Sequence, residues 1–191
     1  DTAIAYSKKQ DFSKSELCEL FNWDPQKPII GIYDHSYTDG LFICGRSIFE
    51  TNYAWIKFTL EFIKNCKEVN WIVKPHPIKS YETHPANMGT IKVFNKIIDS
   101  DNNNIKIFPE YISAFSLFKI LSTVITGNGS VGLEYTTNGI PAVLANHSHY
   151  SGLGFTIEPK NINEYKDILS NINKLKKLDN DQILNSRIFV S

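Results

Sequence analysis

The 191-residue chain balances 20 Lys and Arg against 20 Asp and Glu, so it has no net charge and no general electrostatic reason to bind nucleic acid or an anionic membrane. Apolar residues make up 42% and aromatic residues 13%, which excludes a disordered chain and suffices for one large α/β domain or two small ones. The apolar runs are far too short for a membrane-spanning helix, and the first residues do not read as a secretory signal.

Residues 1–28 are mixed and polar, with a short amphipathic piece at Leu17, Leu20 and Phe21, and read as an N-terminal extension or linker. From Ile29 the pattern changes. Ile29-Ile30-Gly31-Ile32-Tyr33 suits a buried strand, and the polar stretch Asp34 to Gly40 suits the loop after it. Trp55, Phe58, Phe62, Ile63 and Cys66 recur at helical spacing, with Thr51 or Asn52 as cap. Trp71-Ile72-Val73 predicts a second strand, ended by Pro75. Ile105-Lys106-Ile107 predicts a third, after a helix near residues 90–98. Phe115, Phe118 and Leu121 mark a short helix before a fourth strand over Thr123 to Thr126. The next helix should run from about Ser130 to Asn138, with Gly139 as its stop and Pro141 beyond. Ala142 to Ala145 is a fifth strand. Asn161 and Glu164 then read as a capping box for a helix bearing Tyr165, Ile168, Leu169, Ile172 and Leu175. Apolar runs of strand length alternating with helical patterns predict a three-layer, Rossmann-like α/β domain with a mainly parallel sheet over residues 29–191.

In such a sheet ligands bind beyond the carboxyl ends of the strands. Three loops there hold the unusual polar residues. The first is Thr126-Gly127-Asn128-Gly129-Ser130, leading into Val131-Gly132-Leu133-Glu134. Glycines at a strand-to-helix turn let backbone N–H groups approach a phosphate, and the helix start adds partial positive charge. Ser130 can donate a hydroxyl and Glu134, one turn on, can accept from a ribose diol. All of Thr126 to Ser130, with Glu134, are therefore candidate substrate contacts, against the plain reading of a tight turn. The second loop is Lys74-Pro75-His76-Pro77, whose prolines hold it extended. It can present Lys74 and His76 to an anionic leaving group, with His76 able to carry charge or donate a proton near neutral pH. The third is Asp34-His35-Ser36-Tyr37-Thr38-Asp39-Gly40. Asp34, His35 and Asp39 could supply a general base or sugar contacts, and equally could be turn formers.

Tyr150 and Ser151 lie in His147-Ser148-His149-Tyr150-Ser151-Gly152-Leu153-Gly154, a glycine-flexible loop expected to cover a bound sugar or base. His147 and His149 lack a third ligand for zinc, and Asp99-Ser100-Asp101 reads by default as a solvated loop. No metal or other cofactor is expected. Cys18, Cys44 and Cys66 fit neither a zinc site nor a disulfide framework and read as reduced thiols.

The stretches IIGIYDHSYTDG, WIVKPHP and VITGNGSVGLEYTTNGIPAVLA, with HYSGLGFT after them, resemble the capsule polysaccharide biosynthesis proteins. That glycosyltransferase family has a GT-B-like fold and is related to the capsule Kdo transferases and, more distantly, to bacterial sialyltransferases and teichoic-acid glycerophosphotransferases. The resemblance spans residues 29–156. It implies that His76, Gly129 and Ser130 contact the donor phosphate, that Glu134 holds the ribose, and that no bound metal is needed. The implied activity is transfer of a sugar from a nucleotide-activated donor to a glycan or lipid-linked acceptor of a capsular or surface polysaccharide. Such a protein would work in the cytoplasm, peripherally at the inner face of the plasma membrane. A GT-B enzyme has two Rossmann-like halves and one is visible here, while Asp1 is not an initiator, so an upstream acceptor domain is expected. Two rivals stand beside this reading: a nucleotide-sugar 2-epimerase-like enzyme, and a non-catalytic nucleotide- or glycan-binding module.

Overall fold

Five short strands rich in Ile, Val and Trp build the frame: β1 (Ile29–Tyr33), β2 (Asn70–Lys74), β3 (Ile105–Ile107), β4 (Thr123–Thr126) and β5 (Ala142–Leu144). The computed structural model describes residues 9–35, 45, 47–76 and 89–191. All four strand pairings are parallel, in the order β3-β2-β1-β4-β5. Every residue of β1, β4 and β5 is buried, because helices cover both faces. The expected Rossmann-like α/β layering is the observed one.

Seven α-helices flank the sheet among the described residues: α1 (Lys14–Phe21), α2 (Asn52–Ile63), α3 (Thr90–Ile97), α4 (Leu117–Ile120), α5 (Val131–Thr136), α6 (Ile162–Ser170) and α7 (Asn180–Val190). The alternation of strand side chains sorts the core in two. Ile30, Ile32, Trp71, Val73, Ile125 and Val143 face α2, α3 and α6, where Trp55, Leu60, Val93 and Tyr165 meet them. Ile29, Tyr33, Ile72 and Val124 face the other way, onto Leu17 of α1, Leu117 of α4 and Tyr135 of α5. Residues 9–28 thus belong to the packed layer on that face: a Ser13–Glu16 capping box starts α1, and Leu17, Cys18 and Trp23 are buried.

Three local features differ from the pattern-based expectation. Helix α5 ends at Thr136, two residues early, and Gly139 closes it at φ +78°, with Gly139 N–H on the Thr136 carbonyl at 2.9 Å and Ile140 N–H on that of Tyr135 at 3.1 Å. Helix α6 stops at Ser170 instead of running through Leu175. Asn171 Nδ2 donates to the Asp167 carbonyl at 2.9 Å, and a 3₁₀ turn (Ile172–Lys174) follows. Helix α7, for which the sequence pattern gave no expectation, has no clear apolar stripe and starts at an Asp179–Gln182 capping box. No helix among the described residues is long and apolar enough to cross a membrane.

The register places the site. Tyr33 pairs with Lys74 on one side and with Thr126 on the other, so β1, β2 and β4 end level. Asp34, Pro75 and Gly127 therefore emerge side by side. Strand order reverses between β1 and β4, and a parallel sheet opens a crevice at such a point.

Candidate functional site

A cleft of about 340 Å³ opens beyond these strand ends, within the ~300–1,000 Å³ typical of small-molecule sites. Asp34, His35, Lys74, His76, Thr126, Gly129, Ser130 and Glu134 all line it, which brings together eight of the residues singled out in the sequence. The sheet alone explains this convergence: each comes from the end of β1, β2 or β4, or from the first turn beyond.

One wall is basic and imidazole-bearing. The His35 and His76 rings lie 6.2 Å apart, edge to face. Lys74 Nζ sits 5.5 Å from the Tyr33 ring centre. Burial holds the Lys74 ammonium below its usual pKa, and Lys9 adds to this, while Glu134 opposes it. At the floor, Asp34 accepts from the Thr90 hydroxyl through Oδ2, while its Oδ1 is buried without a partner among the described residues. Burial pushes the Asp34 carboxyl from 3.8 to about 8, with the His35 N–H pulling the other way. Thr126 Oγ1 is a second buried oxygen without a hydrogen-bond partner among the described residues. Two unmatched polar groups at one floor leave hydrogen-bonding capacity for a ligand.

The glycine turn forms the opposite edge. Ser130 Oγ donates to Glu134 Oε1 at 3.2 Å, and both residues are exposed to the cleft. The backbone N–H groups of Asn128, Gly129, Ser130 and Val131 make no hydrogen bond to other described residues. They remain available to an anion.

Gly127, Asn128, Tyr150 and Ser151 do not line the cleft. Tyr150, expected to cover a ligand, is fully buried under the turn, and its hydroxyl donates to the Gly129 carbonyl. Ser151 Oγ accepts from Ser148 N–H at 2.9 Å, and Ser148 Oγ donates to the Asn128 carbonyl at 3.0 Å. The segment after β5 therefore braces the turn from behind. A buried tyrosine and an exposed one look alike in sequence, which is why the loop read as a cover. Asp39 lies outside the described residues. Asp99 and Asp101 precede β3 and so sit at the opposite end of the sheet. Among the described residues, no three His, Cys, Asp or Glu side chains cluster to hold a metal ion. Cys18 and Cys66 are unpaired, and burial pushes both thiols up.

Seven lining residues were not among the expected contacts, and four of them are aromatic: Tyr33, Phe115, Phe118 and Tyr135. Tyr33 and Tyr135 share a short hydroxyl–hydroxyl hydrogen bond, and burial pushes both phenols well up. A smaller groove of about 210 Å³ between α2 and α3, lined by Tyr53, Lys57 and Lys96 among others, contains none of the expected site residues.

The Asp34 environment gives a pH test. A carboxyl raised to about 8 in the fold binds a proton that the unfolded chain has lost above pH 4, so stability falls as pH rises from about 4 to about 8. The slope from this group is at most about 1.4 kcal/mol per pH unit. Urea melts across that window should flatten in Asp34→Asn relative to the unmodified chain. Parallel profiles would show that Asp34 is ionised throughout.

No family profile and no curated protein matches the sequence. Solved structures do match. The wall teichoic acid polymerase TagF superposes with TM-score 0.55 at 14% identity, over 92% of this chain and 41% of that one. KpsC of Thermosulfurimonas dismutans, a β-Kdo 2,4 transferase, gives 0.51 at 14% identity, over 86% and 44%. The UDP-GlcNAc 2-epimerase from Neisseria meningitidis, bound to UDP-GlcNAc, gives 0.50 at 15% identity, over 93% and 47%. The chain thus spans less than half the length of each of these three, and what it shares with them is the Rossmann-like α/β fold.

Proposed function

We propose that the chain is the donor-binding half of a nucleotide-sugar-dependent glycosyltransferase acting on a capsular or other surface glycan. The observation that carries this reading is the convergence of His76, Lys74, the Gly129–Ser130 turn and Glu134 on one cleft at the strand-order reversal. Residues 29–191 supply that cleft, and an acceptor-binding half is proposed to lie upstream. The leaving nucleotide's phosphates would sit against the N–H groups of residues 128–131, with His76 and Lys74 supplying positive charge or a proton. Ground-state phosphate carries less leaving-group charge than the transition state, so donors fixed at this point favour departure. Glu134 would accept from the ribose hydroxyls. Asp34 or His35 is proposed to take the acceptor proton. The likeness in fold to the Kdo transferase and the teichoic acid polymerase supports the transferase reading at a coarse level, and the use of a nucleotide sugar is part of the proposal. The epimerase likeness keeps a 2-epimerase as the second reading, which product analysis separates from transfer.

The test is a thermal-shift panel of CMP, CDP, UDP, GDP and dTDP. A nucleotide at 100 times its Kd should stabilise the fold by about 2.7 kcal/mol. The proposal takes donor binding to be metal-independent, so the shift should be equal with EDTA and with magnesium. Loss of the shift in EDTA would contradict the metal-independent part. No shift with any nucleotide would contradict the whole.

A further inference from the structure

The charge of this neutral chain is unevenly spread. Helices α2 and α3, with Lys64 at the end of α2, carry Lys57, Lys64, Lys92 and Lys96 against a single acid, Glu61. The two helices lie side by side on the sheet face turned away from α1, α4 and α5. Lys57, Lys64 and Lys96 line the shallow groove of about 210 Å³ between them, over the buried Val93 and the half-buried Ile97. Lys92 stands one turn before Lys96 and continues its row. Lys57, Lys92 and Lys96 are exposed and Lys64 is half-buried. Lys57 meets Glu61 at 3.5 Å with both side chains 48% exposed, a pairing that holds it weakly. The ammonium groups of Lys64, Lys92 and Lys96 have no ion pair or hydrogen bond among the described residues. Beside Lys92, Ile91 is 50% exposed.

We infer that this face docks the protein on an anionic lipid surface, with the four lysines among the headgroups and Ile91 reaching the acyl boundary. The positive surplus fits a negatively charged layer, and a row of four lysines on amphipathic helices reaches the density at which such a layer attracts protein. All four are lysines and none is arginine, which suits diffuse attraction better than the fixed geometry of a bound carboxylate or phosphate. The groove is smaller than the ~300 Å³ at which small-molecule sites begin, while lysine stems can lie along its apolar floor with their charges outward. The donor cleft opens at the strand ends, towards α4 and α5, so docking through α2 and α3 leaves its mouth clear. The inference stands independently of the donor-binding reading.

Co-sedimentation with vesicles of phosphatidylcholine, alone or mixed with an equal part of phosphatidylglycerol, tests it. The unmodified chain should bind the mixed vesicles, ignore the neutral ones and be released by about 1 M salt, where charges are screened beyond ~3 Å. Lys92→Gln with Lys96→Gln should weaken binding about 30-fold, at about 5-fold per lysine. Glu61→Gln should strengthen it by up to about 5-fold, a gain that no folding defect imitates. Lys176→Gln with Lys177→Gln makes the same change of charge at two exposed lysines before α7 and should leave binding as it was. No binding to the mixed vesicles, equal binding to both kinds, or an equal loss in the Lys176 and Lys177 control overturns the inference. Binding to poly-glutamate without binding to vesicles also overturns it, and gives the face to an acidic peptide.

Discussion

His76→Ala and Glu134→Ala are each expected to remove about half or more of the nucleotide-dependent stabilisation of this chain. His76 reaches the cleft from the rigid end of β2, and Glu134 from one turn into α5. Each would make a charge-assisted hydrogen bond to the ligand, worth about 1.5–3 kcal/mol, or roughly 10- to 150-fold in affinity. At a nucleotide concentration 100 times the original Kd, the linkage relation then leaves about 0.3–1.4 of the initial ~2.7 kcal/mol. For a domain of this size that takes a shift of about 5–11 °C down to about 1–5 °C. Both side chains are on the cleft and neither belongs to the buried core, so the unliganded melting temperatures should move little. Lys57→Ala, in the groove between α2 and α3, is the control and should keep the full shift. A full shift in His76→Ala would mean that the leaving phosphates sit elsewhere.

Gly132→Ala should destabilise the fold and loosen the turn together. A Cβ at Gly132 would overlap the Tyr150 hydroxyl and press on Leu144 Cδ2 at 3.0 Å. Tyr150 has nowhere to go, being fully buried with its hydroxyl on the Gly129 carbonyl. Overpacking costs about 1–3 kcal/mol, against which the better helix propensity of alanine returns at most about 1 kcal/mol. Tyr150→Phe alone removes one of the two donors to the Gly129 carbonyl and leaves the Gly132 N–H at 3.2 Å, at about 0.5–1.5 kcal/mol. Combined, the two changes relieve each other, since the hydroxyl that the new methyl would strike is gone. The double variant should therefore be more stable than the sum of the two single losses predicts, by roughly 0.5–3 kcal/mol in urea melts. Strict additivity would mean that Gly132 and Tyr150 do not meet.

The same pair shows where sequence reading stops. Gly127, Gly129 and Gly132 stand out as a cluster whatever the fold, and the strand before them places the turn at a sheet edge. The reason for Gly132, however, is a tyrosine 18 positions later, and no local pattern carries that contact. The five strands were legible because each is a short apolar run with a polar stop, and Pro75 marks the end of β2, as Gly139 marks that of α5, by backbone chemistry alone. Register is a long-range property, and so is the meeting of Asp34, His76 and Ser130 that follows from it. Phe115 and Phe118 read as core helix residues from their spacing of three. Only the fold reveals that both line the cleft. Helix α7 was missed for a related reason: its apolar residues Ile183, Leu184, Ile188, Phe189 and Val190 follow no single stripe, and Leu184 and Ile188 are largely exposed.

Amide chemical-shift mapping of the ¹⁵N-labelled chain locates the ligand directly. With the nucleotide that stabilises the chain most, the amides of His35, Lys74, His76 and residues 128–131 should shift and saturate together. Those of Tyr53, Lys57, Val93 and Ile97, which line the outer groove, should stay in place. Shifts centred on that groove, or a glycine turn that stays silent at saturation, would contradict a donor site at the β1–β4 crevice.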